Sequence, residues 1–433
     1  MFCMKCGKQI PDHAKFCSGC GVKVTPAAAS KPQKKEAASS RKPGRVIVWL
    51  LILAFGIAAA ISVRLNMSIP EVVGALRRGE PLNDRAMYDL QLRLEERDTS
   101  LIIRQSNWDE NLCPWSEVEW FLKDYLHATP ELFYLDIRNT SVSVGEMDGK
   151  AVCYVKLAYL DGLASDAAQQ QLEAAADRIL QTVPHGTTNW EKALYIHDAL
   201  VRCVAYEEGE RDQTAYAALV DGKAVCMGYA MAYEYLLTRA GVEADTVCGY
   251  ADEFSAALDN TLMQMPGHAW TVVTFTENGA RQSCFVDTTW DDLGKTDTYG
   301  NEYVSHHWFG VTLEDIQREG RSTLATGYDL NQWNLNNSSL NYYVRNGSMI
   351  DSYDLDQIIR IMQDQIRQGS NVLSVRMADL DTYYDVRFNM EESGDLQKLS
   401  NALGIGGYAY SFSYRYTGDG VLCFDVYLDY PQE

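Results

Sequence analysis

Runs of apolar and polar positions divide the 433 residues into readable blocks. Val46–Val63 is 18 largely apolar residues without a charge, held between Arg45 and Arg64. That length spans a bilayer core as one helix; a buried core helix is the alternative. From Met87 to about Leu160 the periods are short and mixed. Asp89–Arg97 reads as the end of a helix, Ser100–Arg104 as a strand and Ser116–His127 as an amphipathic helix. Ser141–Val144 and Ala151–Tyr159 read as strands joined by a turn at Met147-Asp148-Gly149. Ser165–Val183 carries Leu172, Ala175, Ile179 and Leu180 on one helical face, and a second helix through Trp190, Leu194, Ile196, Ala199 and Leu200 starts from Asn189 as N-cap. A third helical pattern covers Ala230–Ala240. Strand-like Ala269–Phe275 and Ser283–Val286 then flank a turn at Asn278-Gly279. Toward the C-terminus, Asp356–Gln368 is helical, Val372–Met377 extended and Asp395–Leu403 helical. Tyr408–Tyr416 and Leu422–Leu428 form a hairpin about Asp419-Gly420. The helix, strand, helix, hairpin order repeats that of residues 87–160, a weak internal duplication.

These blocks predict an α+β protein with a long central unit at 165–345 and small α+β modules at 65–160 and 350–433. Residues 25–45, rich in Ala, Ser, Pro, Lys and Arg, form a flexible basic linker ahead of the apolar run. The run begins too far from the N-terminus to be a plain signal peptide. Basic residues precede it and mainly acidic sequence follows, so the positive-inside rule places the N-terminus in the cytoplasm and residues 65–433 outside.

Charge sharpens the division. Residues 1–64 carry 11 Lys/Arg against 2 Asp/Glu, and the remainder 27 against 57. An acidic body repels phosphates, which excludes nucleic acid as a partner. Of the eleven cysteines, Cys3, Cys6, Cys17 and Cys20 form two Cys-x-x-Cys knuckles, each followed by a glycine (Gly7, Gly21). Such spacing fits one tetrahedral structural zinc site, whose metal would supply the folding energy of a 24-residue segment with almost no apolar core. The segment resembles the short N-terminal zinc ribbons of many bacterial membrane proteins. The seven other cysteines show no paired framework.

The densest chemistry lies at Gly222-Lys223-Ala224-Val225-Cys226-Met227-Gly228-Tyr229, where a cysteine meets the start of a helix. A thiol there faces free N–H groups and the positive end of the helix dipole, which favour the nucleophilic thiolate. The Cys226 N–H is itself one candidate oxyanion donor. His268 follows in Gly-His-Ala-Trp (267–270), and Asp287 opens Asp-Thr-Thr-Trp-Asp-Asp (287–292). Adjacent antiparallel strands would set His268 beside Asp287, giving a base and the carboxylate that orients it. His197, beside Asp198 in a helix, reads as a packed or surface histidine. The acidic run 287–297 lacks the spacing of a calcium loop.

Together with Tyr216-Ala217-Ala218-Leu219-Val220-Asp221 ahead of the cysteine, these blocks resemble the three motifs of the transglutaminase-like superfamily over about residues 165–310. The resemblance implies a papain-like core, its cysteine on a helix packed against an antiparallel sheet, and a catalytic triad of Cys226, His268 and Asp287 that needs no cofactor. Tyr216 matches a tyrosine common in bacterial members, either lining the site and assisting the oxyanion or simply a buried aromatic. Trp270 and Trp290 match as site-lining or supporting residues. Thr271 departs from the asparagine of many members. The loop 251–266 is a gate over the cleft or filler. The implied activity is acyl transfer or peptide hydrolysis through a thioester, on cell-surface protein or cell-wall peptide outside a membrane anchored by one helix. The alternative is an inactive surface module that binds peptides, or a scaffold whose ribbon meets a cytosolic partner.

Overall fold

The computed structural model describes residues 85–249, 267–277, 279–318, 332–405, 409–417 and 421–429. The zinc knuckles, the basic linker, the apolar run 46–63 and the loop 251–266 lie outside the described residues. Among the described residues no helix is long and apolar enough to cross a membrane.

The first module runs α1 (Arg85–Glu95), β1 (Ser100–Arg104), α2 (Val118–Ala128), β2 (Ser141–Met147) and β3 (Lys150–Lys156). Its sheet has the order β1-β3-β2, antiparallel throughout. The hairpin is longer than its alternation suggests, because Asp148 and Gly149 both take positive φ and close a two-residue turn directly onto Met147 and Lys150. Leu90, Leu94, Leu122, Leu126, Val142, Cys153 and Val155 form the core between helices and sheet.

The central unit opens with α3 (Asp166–Leu180), capped by the Ser165 hydroxyl, and α4 (Asn189–Cys203). The cap of α4 is Thr188 rather than Asn189: its hydroxyl accepts the Glu191 N–H while the Glu191 carboxylate accepts the Thr188 N–H. Two-residue strands β4 (Ala205–Tyr206) and β5 (Lys223–Ala224) pair in parallel, and α5 (Cys226–Arg239) follows at once. Beyond it come β6 (Glu243–Gly249), β7 (His268–Glu277) and β8 (Ala280–Val286), a helical turn α6 (Thr288–Asp291), and β9 (Asp292–Thr296). They lead through β10 (Glu302–Val304) to β11 (Phe309–Val311), and the main sheet has the order β11-β8-β7-β6.

Helix α5 is apolar nearly all round, and it is buried nearly all round, packed across β6 and β7 with Tyr229, Tyr233, Leu236 and Leu237 inaccessible. On the other side of β7 lies a second cluster of Trp270, Val272, Phe285 and Trp308. Alternate residues of β7 therefore face two different cores, so its first eight positions are all buried.

The last module contains β12 (Met349–Ile350), α9 (Leu355–Arg367), β13 (Val372–Met377), α10 (Leu380–Glu392), α11 (Asp395–Leu403), β14 (Ala409–Thr417) and β15 (Val421–Asp429); α7 (Leu313–Arg318) and α8 (Tyr342–Arg345) precede it. In its sheet the single strand β13 pairs with the second strand of the hairpin, and β14 lies outside. Apart from β12, which pairs in parallel with the other edge of β13, this is the order β1-β3-β2 of the first module. Helix α10 is the element the pattern did not announce: its aromatics Tyr384 and Phe388 are exposed, so no apolar stripe marks it. Leu422, Phe424 and Val426 of β15 enter the module's own core, whereas Val421 and Cys423 join the cluster of Trp270 and Trp308.

Candidate active site

Cys226 is the first residue of α5, and its N-cap is Val225, which offers no side-chain acceptor. The first N–H groups of the helix are thus left for another partner. Gly228, one turn along, is required by packing. A Cβ there would lie 2.4 Å from the Asp212 carbonyl oxygen and 2.7 Å from the Ala224 Cβ. Val225 N–H donates to the same Asp212 carbonyl at 3.0 Å, so the segment 212–214 lies across the start of the helix.

His268 is the first residue of β7, and Asp287 follows the last residue of β8. The register pairs Thr271 with Val286, which puts Asp287 opposite Trp270 and one pleat along the same face from His268. The His268 Nε2 lies 2.8 Å from Asp287 Oδ2, and the other carboxylate oxygen accepts the Trp290 N–H at 3.0 Å. The remaining ring nitrogen, Nδ1, is then the one left for Cys226, which lines the same cleft as His268. Burial by itself would lower the His268 pKa. The Asp287 carboxylate and Cys226 overcome it and raise the value to about 9. Trp270 and Trp290 hold the ring from two sides, each with its centroid 5.5 Å from the imidazole. The imidazole is thus held by the carboxylate beside the cleft that Cys226 lines, and its protonated form is favoured.

A cleft of about 240 Å³ opens over Cys226 and His268. Its far wall, formed by Arg138, Tyr206, Glu208, Asp212 and Gln213, is not part of any motif. Arg138 comes from the first module and clamps the lip: it donates to the Gly209 carbonyl at 2.8 Å and to Asp212 Oδ1 at 2.6 Å. The parallel β4–β5 pair brings Tyr206 beside Ala224, and burial, then Cys226, Glu208 and Asp212, push its hydroxyl up. Such residues leave no local sequence signal, since each reaches the cleft through tertiary contacts.

Tyr216 takes the structural role of its two expected ones. It is not on the cleft wall: its ring stacks on Phe133 at 5.7 Å and its hydroxyl donates to Gln171. Behind the site, His197 is fully buried between Asp198 (3.0 Å) and Asp291 (3.2 Å), and Asp198 also meets His306 at 2.7 Å. Burial alone would lower the His197 pKa, but the two carboxylates raise it to about 9. Asp291 accepts the Trp308 N–H at 3.1 Å, and the Trp308 carbonyl accepts the Asp287 N–H at 3.2 Å. This buried network fixes the turn that carries Asp287.

A cysteine at the start of a buried helix is thus set beside an antiparallel sheet with histidine and aspartate on neighbouring strands. In agreement, residues 173–287 match the transglutaminase-like superfamily and residues 2–24 match a zinc-ribbon domain. The chain therefore carries a transglutaminase-like domain in a mixed α+β body and a zinc-ribbon domain at its N-terminus. No curated protein shows significant similarity to the sequence. Among solved structures, a TGase shares 12% identity over 36% of this chain and 45% of its own, with a TM-score of 0.23. A candidate protease from Parabacteroides distasonis shares 14% identity over 34% and 35%, TM-score 0.19. A candidate cysteine protease from Cytophaga hutchinsonii shares 13% over 39% and 66%, TM-score 0.22. The chain thus spans between about a third and two thirds of these structures, and overlaps this loose carry no argument about activity.

Proposed function

We propose that the protein is a thiol acyltransferase or peptidase that forms a thioester on Cys226, acting on peptide or glutamine-type amides. The observation that carries this reading is that Cys226 and His268 line one cleft, with the imidazole fixed by Asp287 at 2.8 Å. The Cys226 thiolate attacks the amide carbon, and the carbonyl π electrons move to oxygen. His268, cationic at neutral pH, gives its proton to the departing amine as the C–N bond breaks, leaving the thioester. Water or an acceptor amine then attacks, passing its proton to His268, and the C–S bond breaks to release an acid or a new amide. Asp287 stabilises the imidazolium throughout and keeps the ring in one orientation. Trp270 and Trp290 dry that ion pair and so strengthen it.

On this reading the apolar run 46–63 anchors the body to a membrane with the cleft on the outer side. The accessible substrates are then surface protein or cell-wall peptide. Cys3, Cys6, Cys17 and Cys20 hold one structural zinc on the inner side and serve contact with a cytosolic partner.

The test is iodoacetamide alkylation of Cys226 in the full-length chain in detergent, followed by mass spectrometry against pH, beside His268→Ala. Rapid labelling that persists near pH 6 and is lost in the variant supports the ion pair. Labelling that rises only near the ordinary thiol value of about 8.5 in both proteins removes the enzyme reading and leaves a peptide-binding module.

A further inference from the structure

Behind the turn that carries Asp287, two histidines and an aspartate bring their ligating atoms to one spot. One ring nitrogen each of His197 and His306 and one carboxylate oxygen of Asp198 all lie within 4.8 Å of one another. Asp198 Oδ1 is the shared centre, 3.0 Å from His197 Nδ1 and 2.7 Å from His306 Nε2. His197 and Asp198 are consecutive in α4, and consecutive residues of a helix do not ordinarily face each other. His306 arrives from the connection between β10 and β11.

Each of the three groups is also held from outside. The second nitrogen of His197 meets Asp291 Oδ2 at 3.2 Å, and the second oxygen of Asp198 accepts from Arg202 at 3.5 Å. The His306 ring stacks on Tyr342, with centroids 4.0 Å and planes 6° apart. An imidazole whose far nitrogen rests on a carboxylate is the support that metal-ligating histidines use. The cluster has a floor and an open side: the His197 side chain is inaccessible, while 22% of Asp198 and 13% of His306 remain accessible. An ion can enter there, and water can complete its shell.

We propose that His197, Asp198 and His306 form a binding site for a divalent transition ion of the zinc type, distinct from the cysteine knuckles and from the Cys226 cleft. Two imidazoles and one carboxylate are a zinc donor set, whereas calcium and magnesium take shells of oxygen. A tetrahedral zinc with bonds of about 2.0–2.2 Å spaces its ligand atoms about 3.3–3.5 Å apart. The two contacts to Asp198 open by roughly half an ångström to admit it. The protons that the rings share with Asp198 leave to solvent as the ion binds. The ion ties α4 to the β10–β11 connection. Its effect reaches the catalytic turn through Asp291, which accepts the Trp308 N–H, and through the Trp308 carbonyl, which accepts the Asp287 N–H.

The test counts zinc on the full-length chain in detergent, by elemental analysis after equilibration in a zinc buffer and gel filtration. His306→Gln keeps an amide N–H for Asp198 but loses the ligand; His306→Phe keeps the stacking on Tyr342 and loses the ligand as well. The wild type is expected to carry one more equivalent of zinc than either variant, because the cysteine knuckles are common to all three. Equal counts in wild type and a folded variant overturn the proposal. A second measurement needs no variant. X-ray absorption at the zinc edge of the loaded wild type should show imidazole ligands beside the sulfur of the knuckles. A spectrum of sulfur ligands alone means that the two rings and Asp198 are only a hydrogen-bonded network, and the site falls. Neither readout depends on the chemistry of Cys226.

Discussion

Asp287→Asn changes one atom and should reverse the protonation of the site. In the wild type, His268 Nε2 donates to Asp287 Oδ2 across 2.8 Å, which leaves Nδ1 toward the sulfur. Asparagine can keep the Trp290 N–H on its oxygen, but its amide nitrogen then faces Nε2 and needs an acceptor there. The neutral ring must place its proton on Nδ1, the wrong tautomer for taking a proton from Cys226. Burial, now opposed only by Cys226, should bring the imidazole from about 9 to below its ordinary 6.5. The difference is worth roughly 3 kcal/mol. A histidine raised on folding contributes stability that is complete below about 6.5 and fades as pH rises through about 9. The variant should therefore lose most at and below neutral pH, and the gap to wild type should narrow above pH 9. The assay is NMR titration of ¹³C-labelled histidine, with seven residues to resolve and His268→Ala to assign the signal. A midpoint that stays near 9 in Asp287→Asn would refute the reasoning, because the carboxylate would then not be what holds the proton.

Gly228→Ala forces a methyl against backbone oxygen 2.4 Å away and should cost upward of about 3 kcal/mol, read as a lowered melting temperature; a wild-type melt would contradict the packing. Asp425 is fully buried and takes hydrogen bonds from His307 (3.2 Å) and the Ser374 hydroxyl. Asp425→Asn strands a buried imidazolium and should lower stability by about 3–5 kcal/mol in urea denaturation. Burial raises the Glu234 carboxyl to about 8, so its favourable contribution is complete near pH 4.5 and disappears as pH rises through 8. Glu234→Gln, which can still accept the Thr246 N–H, should melt close to wild type at pH 5 and higher than wild type at pH 9, by at most ~5 kcal/mol. Equal melting at both pH values would show that the carboxylate finds water.

What could be read from the sequence follows the range of the forces involved. Strands β1 and β13 and helix α11 were legible to the residue because alternation, or a helical period ending at a glycine such as Gly404, is a local property. The three chemical residues were legible because each sits beside an element boundary that its neighbours mark. Asp148-Gly149 announced a turn, but its positive φ values, which lengthen both strands, are a conformational choice that composition only suggests. Arg138, Tyr206, Glu208 and Gln213 were not legible at all. An arginine 88 positions before the cysteine acquires its role only when a loop of another module folds beneath it. Tyr216 was open between two roles in the sequence, and only tertiary contact decides: its ring serves the packing of Phe133 and α3.

Strand β15 belongs to two cores at once. Its Leu422, Phe424 and Val426 close the last module, while Val421 and Cys423 lie with Trp270 and Trp308 under the histidine. The span that carries thiol, imidazole and carboxylate, residues 173–287, is therefore not a transplantable cassette. A recombination event or a domain swap that moved it alone would leave its floor behind, exposing tryptophans to water. The packing beneath the histidine thus depends on a hairpin almost 200 residues beyond the cysteine.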